Sequence, residues 1–329
     1  MDIVANLQPF KEANGLLGDE EALRASFEKD GYIFVKQLID PEKLIAIRQQ
    51  FTAILAQEGW IKGGAEQDKA FAIGMPYREG EPEFLRAYEK IQKVEDFHAL
   101  AHDPALNSVI SSLLGMGAFP HPLTIARLIF PNNEEIPTPP HQDFPNNQGS
   151  ANLTASWMPL IDCPISHGSL AVLEGSHKFG LLPLTGSLGA GNRQAVLPPE
   201  FEDLNWVGAD FELGDVLFFS ALTVHTALPN RHAERMRLSV DFRFQPAGAA
   251  ITELCLEPHF QTLSWDEIYE NLQDESIQYY WRDNAYEIVP FDAEMHKISD
   301  EEHIELVAQS MRYQVARNER AREQKSNVS

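Results

Sequence analysis

The residues between about 119 and 246 constrain the fold most, because short strand-forming runs alternate there with turn residues. The candidate strands are Leu123–Phe130, Leu153–Leu160, Ser169–Leu173, Asp215–Leu222 and Met236–Phe244. Pro, Gly and Asn separate these runs, and helical periodicity is weak between them. Short strands joined by long connections are typical of an antiparallel double-sheet jelly roll. We therefore predict a mainly β core.

Helical signals dominate on both sides of this core. Asp40 is placed to cap a helix that has Pro41 at the favoured first position, and Ser299 with Glu302 forms a capping-box pattern near the other end of the chain. We predict a helical layer over residues 1–118, the β core over 119–246 and a helical extension over 247–329, all in one integrated unit. From Gln314 onward the helix is expected to fray into solvent.

Composition excludes several classes of protein. The chain has 49 Asp and Glu against 26 Lys and Arg, a formal charge of −23, whereas a nucleic-acid binder needs clustered basic residues. No apolar run approaches the roughly 18 residues of a membrane helix. The start lacks the order of a signal peptide, and two cysteines, Cys163 and Cys255, are too few for a disulfide framework. We expect a reduced, cytoplasmic protein without membrane or nucleic-acid contacts.

The triplet His141-Gln142-Asp143 and the distant His225 are the strongest chemical signal. Two imidazoles and one carboxylate on one face of an octahedral metal leave three positions open, which is the ligand set of non-haem Fe(II) oxygenases. In an extended segment, residues i and i+2 point the same way, so His141 and Asp143 could reach one ion. Taken alone the triplet is weak evidence, because a surface or capping pair has the same sequence.

The segment 235–244 alternates polar and apolar residues. Its polar face is made of Arg235, Arg237, Ser239, Asp241 and Arg243. For a strand whose surroundings are unknown, a charged face exposed to solvent is a simpler interpretation than a charged face that lines a site.

With these motifs the chain resembles the phytanoyl-CoA dioxygenase-like family of Fe(II)/2-oxoglutarate-dependent oxygenases. The resemblance covers roughly residues 30–245 and is carried by GYIFVKQLIDPEKL, PPHQD, SWMPLIDCPISHGSLAVLEGSH, GDVLFFSALTVHTALPN and RMRLSVDFRF. It implies the cupin-like double-stranded β-helix with a helical N-terminal layer, in agreement with the zones above.

The resemblance also implies roles for five residues. His141, Asp143 and His225 would bind iron. Arg237, which follows His225 by 12 residues, would clamp the far carboxylate of 2-oxoglutarate, and Ser239 would complete an Arg-x-Ser pattern. A guanidinium suits this task because it offers two parallel donors and stays charged.

The activity implied is oxidation, most simply hydroxylation, of a C–H bond of a small molecule, with Fe(II), 2-oxoglutarate and O2 as cofactor and co-substrates. Desaturation, cyclisation, N-dealkylation and epimerisation stay open, whereas halogenation is disfavoured because Asp143 is present. Two rivals come from other classes: a non-catalytic β-sandwich binding module, and a metal-dependent hydrolase or isomerase that needs no 2-oxoglutarate. Intact site residues argue against the first, and the second would not need Arg237 or Ser239.

The charges around the predicted site leave the substrate open. Arg235 is a second candidate for the clamp, and Arg127 is a further basic residue near the metal motif. If the polar face points inward, Asp241 and Arg243 need partners, since an unpaired buried charge is costly. These partners could be a substrate carboxylate, which favours a small polar acid, or each other in an internal ion pair. The C-terminal Tyr279, Tyr280 and Trp281 could form a lid, a homodimer contact or core.

Overall fold

The computed structural model describes residues 3–74 and 76–326 and contains fourteen named strands and eight α-helices within them. The strands are β1 (Gln8–Pro9), β2 (Tyr32–Val35), β3 (Phe119–Pro120), β4 (Ile125–Ile129), β5 (Thr154–Pro159), β6 (Leu170–Leu173), β7 (Leu184–Gly186), β8 (Arg193–Ala195), β9 (Trp206–Gly208), β10 (Val216–Ser220), β11 (His225–Ala227), β12 (Arg237–Gln245), β13 (Ala250–Thr252) and β14 (Glu287–Val289). The helices are α1 (Glu20–Asp30), α2 (Pro41–Gln57), α3 (Pro82–Ile91), α4 (Glu95–Leu100), α5 (Pro104–Leu114), α6 (Phe144–Asn147), α7 (Trp265–Tyr269) and α8 (Asp300–Ser326).

Two antiparallel sheets form the core, as predicted. The major sheet has the order β2-β10-β5-β12-β3, and β4 also pairs with β12. The minor sheet has the order β1-β9-β6-β11, in which only the short β1–β9 pairing is parallel. The sheets face each other as a jelly roll and do not close into a continuous barrel among these described strands. The fold class predicted from the sequence is confirmed.

Each face of the major sheet has its own apolar partner. The inward residues Trp157, Leu217 and Phe219 pack against residues of the minor sheet such as Val172 and Val207. The alternate, outward residues pack against the helices, with Val216, Phe218, Leu238, Val240 and Phe242 in one cluster with residues of α2, α3, α4 and α5. Period-two alternation therefore puts the apolar side of β12 under the helical layer. Its polar side, Arg237 to Arg243, faces the interior between the sheets.

The N-terminal region adds strands as well as helices to this core. β2 pairs with β10 in the major sheet, and β1 pairs with β9 in the minor sheet. The predicted cap is present, since the side chain of Asp40 accepts the N–H of Glu42 and Pro41 opens α2. The division of the chain into 1–118, 119–246 and 247–329 stays a prediction.

The region after residue 247 is less helical than predicted. Before α8 it contains only the short α7, several 3₁₀ turns and the parallel pair β13–β14. Asp274 and Asp292 explain part of the difference, because each side chain accepts a nearby backbone N–H and opens a 3₁₀ turn instead of a long helix. The capping box of Ser299 and Glu302 is present at the start of α8.

The expected fraying from Gln314 is wrong, because α8 continues to Ser326. Two ion pairs attach its second half to the body of the protein: Arg317 to Glu81 at 2.7 Å and Arg320 to Glu135 at 2.8 Å. Their partners lie far away in sequence, so local charge patterning could not identify them.

Tyr279, Tyr280 and Trp281 belong to an apolar cluster, and Trp281 is buried against Trp265 and Tyr269. The core-packing alternative is thus the one observed for this segment. In the described part of the chain, no helix has the length and apolarity needed to cross a membrane.

Two buried histidines in the helical layer and core should make the metal-free protein sensitive to acid. Burial lowers the pKa of His98, and burial lowers that of His121 to about 4. Unfolded histidine has a pKa of about 6.5, so the unfolded state binds more protons and the folded state loses stability as pH falls below that value. With a folded-state pKa of about 4, His121 should cost about 2 kcal/mol of unfolding free energy at pH 5, and His98 should add to the loss in the same direction.

Denaturant melts of metal-free protein at pH 7 and pH 5 measure this effect. His121→Gln should remove about 2 kcal/mol of the difference between the two pH values. Equal unfolding free energies at both pH values in the wild-type protein would contradict the prediction.

Candidate active site

The two histidines of the predicted triad lie directly opposite each other. Their backbones form an isolated antiparallel bridge, with His141 N–H donating to the His225 carbonyl at 2.9 Å and His225 N–H donating to the His141 carbonyl at 3.0 Å. His225 begins β11, and His141 follows the proline-rich segment 136–140. Cross-strand neighbours project to the same side, and the ring centroids are 4.1 Å apart.

Asp143 completes the cluster from the residue just before α6. Its Oδ1 lies 3.9 Å from Nε2 of His141 and 3.8 Å from Nε2 of His225. One potential ligand atom from each of the three residues lies within 4.8 Å of the others. The structure thus brings together the three residues that the sequence singled out, in an arrangement that could hold one ion.

Hydrogen bonds to the other ring nitrogen orient both imidazoles. Nδ1 of His141 is 2.8 Å from the Pro139 carbonyl, and Nδ1 of His225 is 3.1 Å from the Thr223 carbonyl. A carbonyl only accepts, so each Nδ1 carries the proton and each Nε2 presents its lone pair to the cluster. Burial lowers the pKa of His141 to about 3 and also lowers that of His225, so both rings are neutral at pH 7.

Asp143 is held in its charged form. Burial by itself would raise the pKa of this carboxyl, but the guanidinium of Arg243 holds it well below its ordinary value. Oδ2 accepts hydrogen bonds from Nε of Arg243 at 3.2 Å and from Nη2 at 3.0 Å. Two neutral nitrogens and one anionic oxygen are the donor set that suits Fe(II), so the residues present fit this ion.

Arg237 is buried without a carboxylate partner. Only 2% of it is exposed, and no ion pair to it exists in the part of the chain that the structure describes. Nη1 donates to Ser239 Oγ at 2.5 Å, and Nε has no hydrogen-bond partner among the residues that the structure describes. Burial lowers the pKa of the guanidinium to about 10. Since an unpaired buried cation is costly, an anion is the partner that this site lacks. A carboxylate of 2-oxoglutarate fits that requirement.

Ser239 adds a donor beside this guanidinium. Its Oγ accepts from Nη1 of Arg237 and from Nε1 of Trp157 at 3.1 Å. The hydroxyl hydrogen is therefore left to donate to a further group, and a carboxylate oxygen would accept it. The guanidinium of Arg237 also lies 5.8 Å from the ring centroid of Trp157.

The other charges of the β12 face are paired inside the protein. Arg243 bonds to Asp143 and Asp241, and Arg127 bonds to Asp241 at 3.2 Å and to Glu79 at 3.3 Å. Of the two alternatives raised from the sequence, the internal ion pair is the one observed, and neither Arg127 nor Arg243 lacks a carboxylate.

Arg235 does not share the interior face. β12 begins at Arg237, and the half-buried Arg235 donates through Nε to the Lys69 carbonyl at 3.0 Å, away from the cluster. The alternation in the sequence could not predict this position of Arg235, because the prediction extended the strand two residues too far, to Arg235. The second candidate for the clamp is therefore poorly placed.

A cavity of about 310 Å³ opens onto the cluster. Its wall contains His141 and Asp143, and two residues that the sequence did not single out: Arg193 of β8 and His259. Nδ1 of His259 lies 2.7 Å from the hydroxyl of Tyr88. No motif marks either residue, since both reach the cavity only through the folding of distant segments onto the core.

The sequence is similar to known proteins. The family model described as Phytanoyl-CoA dioxygenase (PhyH) matches residues 27–238. The chain is 26% identical to the 1-deoxypentalenic acid 11-beta-hydroxylase of Streptomyces arenae over 258 residues, which covers 73% of this chain and 86% of the relative. It is also 26% identical to the enzyme of the same description from Streptomyces exfoliatus over 273 residues, which covers 74% of this chain and 87% of the relative.

Among solved structures, the epimerase SnoN in complex with Fe³⁺, alpha ketoglutarate and nogalamycin RO has a TM-score of 0.50 and 22% identity. The match covers 70% of this chain and 85% of that one. At this identity the likeness supports the fold.

Proposed function

Since the chain belongs to the phytanoyl-CoA dioxygenase family, it is an Fe(II)- and 2-oxoglutarate-dependent dioxygenase, and we propose that His141, Asp143 and His225 bind its iron. Bound iron and 2-oxoglutarate supply the oxidising chemistry, in which 2-oxoglutarate and O2 give succinate and CO2 while a C–H bond of the substrate is oxidised. The observation that carries the assignment is the convergence of two unprotonated Nε2 atoms and one Asp143 oxygen beside a cavity.

Arg237 and Ser239 bind 2-oxoglutarate in this proposal. The guanidinium offers a buried positive charge with an unpaired Nε, and the Ser239 hydroxyl offers a hydrogen. A hydrolase or isomerase that uses only the metal would gain nothing from an uncompensated buried arginine, which costs stability. This feature therefore favours the 2-oxoglutarate-dependent reaction over that rival.

The protein's remaining task is to hold the substrate and exclude water. The cavity of about 310 Å³ has the size of a pocket for a small molecule. Apolar side chains of Leu123, Ile125, Leu184 and Phe260 share its wall with polar groups. These side chains would position one C–H bond of the substrate at the metal cluster, and hydroxylation is the simplest outcome of its oxidation.

A small carboxylic acid is the substrate class that we propose. Arg193 is the one cavity-lining lysine or arginine without an ion pair among the described residues. Nε donates to the His296 carbonyl at 2.7 Å and Nη1 to the Asn192 carbonyl at 2.8 Å, which orients the guanidinium and leaves Nη2 free. The substrate named for the two Streptomyces relatives is itself an acid.

An assay with 1-deoxypentalenic acid and its methyl ester tests this class. The acid should stimulate succinate release more strongly than the ester, because only the acid carries the charge that Arg193 can pair with. Arg193→Gln should raise the KM for the acid about tenfold and leave the KM for the ester unchanged, as expected for one partly exposed charged hydrogen bond.

Arg282, which lies over the Tyr279 ring outside the cavity, provides the control variant Arg282→Gln. Equal stimulation by acid and ester, or equal KM values for the acid in Arg193→Gln and Arg282→Gln, would rule out Arg193 as the substrate partner. The products, analysed by mass and NMR, identify the oxidative outcome.

A cytoplasmic location and a homodimeric state stay predictions. Light scattering of the purified protein tests the second.

A further inference from the structure

The two oxygens of Asp143 have different partners. Oδ1 is directed to Nε2 of both histidines, whereas Oδ2 receives Nε and Nη2 of Arg243 at 3.2 and 3.0 Å. Both side chains are buried, with 3% of the Asp143 side chain and 4% of the Arg243 side chain exposed. A guanidinium that donates two hydrogen bonds to one carboxylate oxygen leaves that oxygen little capacity for a metal.

Arg243 is itself held from the other side. Its Nη1 donates to Oδ2 of Asp241, and Asp241 accepts Nε of Arg127 at 3.2 Å. Arg127 then pairs with Glu79 at 3.3 Å. Five alternating charges therefore run from the metal cluster to the cavity wall, and two of them, Asp241 and Arg243, lie on β12, whose residues are all buried.

We propose that Arg243 is a positioning residue that restricts Asp143 to binding the metal through Oδ1 alone. This inference rests on the proposed function and goes beyond it, because it assigns a role to a residue outside the proposed iron ligands and the proposed 2-oxoglutarate residues.

The restriction matters because it keeps three coordination positions of the metal open. Two histidines and one carboxylate oxygen occupy three positions of an octahedron and leave three. 2-Oxoglutarate needs two of them when it chelates through its keto acid end, and O2 needs the third. A carboxylate free to rotate can bind a cation through both oxygens. Without the two hydrogen bonds from Arg243 (the Arg243 fork), Oδ2 of Asp143 would therefore be able to occupy one of the open positions, while the ion itself stays bound.

Mn²⁺ is the probe, because its bound waters can be counted by electron spin-echo spectroscopy in labelled water without any turnover. Arg243→Lys keeps the positive charge but replaces the fork by a single ammonium. We expect three waters on Mn²⁺ in the wild-type protein and two in Arg243→Lys. The affinity of the Mn²⁺-loaded protein for 2-oxoglutarate, measured by calorimetry, should fall about tenfold or more in the variant.

Arg127→Lys is the matched control, because it changes the same charge network but keeps the fork of Arg243 on Asp143. It should retain three waters. If Arg243→Lys does not give a cooperative thermal melt, Arg243→Gln, which also lacks the fork, replaces it with the same expected count.

Three waters and unchanged 2-oxoglutarate affinity in Arg243→Lys would overturn the inference, as would the same loss in Arg127→Lys. Failure of the proposed function is a different result. In that case wild-type protein would bind no Mn²⁺, which overturns both ideas, or would bind Mn²⁺ but not 2-oxoglutarate, while the water counts still decide the role of Arg243.

Discussion

Replacing His225 by alanine is expected to abolish turnover and to weaken Fe(II) binding strongly, while the fold persists. In the proposed site His225 supplies one of three ligand atoms, and its Nε2 lies 3.8 Å from Oδ1 of Asp143. With this imidazole removed, only His141 and Asp143 remain to hold the ion. We expect activity at the background of the metal-free protein, at least about 10³-fold below wild type, and the loss of one nitrogen ligand in the Cu²⁺ or Co²⁺ spectrum.

His177 offers the matched control for this experiment. It follows Gly175-Ser176 in a short turn, and its Nε2 contacts the Glu28 carbonyl at 3.0 Å, away from the cluster. His177→Ala should keep the metal stoichiometry of one ion per chain. Full activity in His225→Ala, or equal loss of metal from both variants, would overturn the assignment of the iron ligands.

Replacing Arg237 by methionine is expected to raise the 2-oxoglutarate concentration for half-maximal activity by about thirtyfold or more. The loss of one partner of a buried charge pair costs about 2 to 5 kcal/mol, and about 1.4 kcal/mol corresponds to a factor of ten. The KM for the substrate should change much less, since Arg237 binds 2-oxoglutarate and not the substrate in the proposed function.

Stability provides a second measurement on the same variant. Without 2-oxoglutarate, Arg237 is a buried cation with no carboxylate partner among the described residues, so methionine should leave the melting temperature unchanged or raise it. Arg235→Met is the control two residues away, and it should leave the 2-oxoglutarate requirement unchanged. A higher 2-oxoglutarate requirement in Arg235→Met, with none in Arg237→Met, would assign 2-oxoglutarate binding to Arg235 instead.

The sequence could predict the features that depend on local pattern. Alternation along 236–244 correctly placed Leu238, Val240 and Phe242 on the apolar side of one strand, because the pleat of a strand sends successive side chains to opposite faces. The turn residues between the short strands correctly indicated two antiparallel sheets. The pairing of His141 with Asp143 followed from their spacing of two residues.

Local sequence patterns could not predict the features that depend on long-range folding. Arg193 reaches the cavity on a short hairpin, and its orientation depends on the carbonyl of His296, about a hundred residues later. His259 lines the cavity because Tyr88, on α3, fixes its ring. The partners of Arg127 could not be predicted from the sequence for the same reason, since Glu79 and Asp241 come from different parts of the chain.

The central claim is that one site oxidises 2-oxoglutarate with O2 at His141, Asp143 and His225. Release of ¹⁴CO2 from 1-¹⁴C-labelled 2-oxoglutarate tests it most directly, with Fe(II)-loaded wild-type protein and His225→Ala assayed in air and under argon in the presence of 1-deoxypentalenic acid. We predict release by the wild-type protein in air, with one succinate formed for each CO2, and only background release under argon or from His225→Ala. Equal release in air and under argon, or release by His225→Ala at the wild-type rate, would contradict the account.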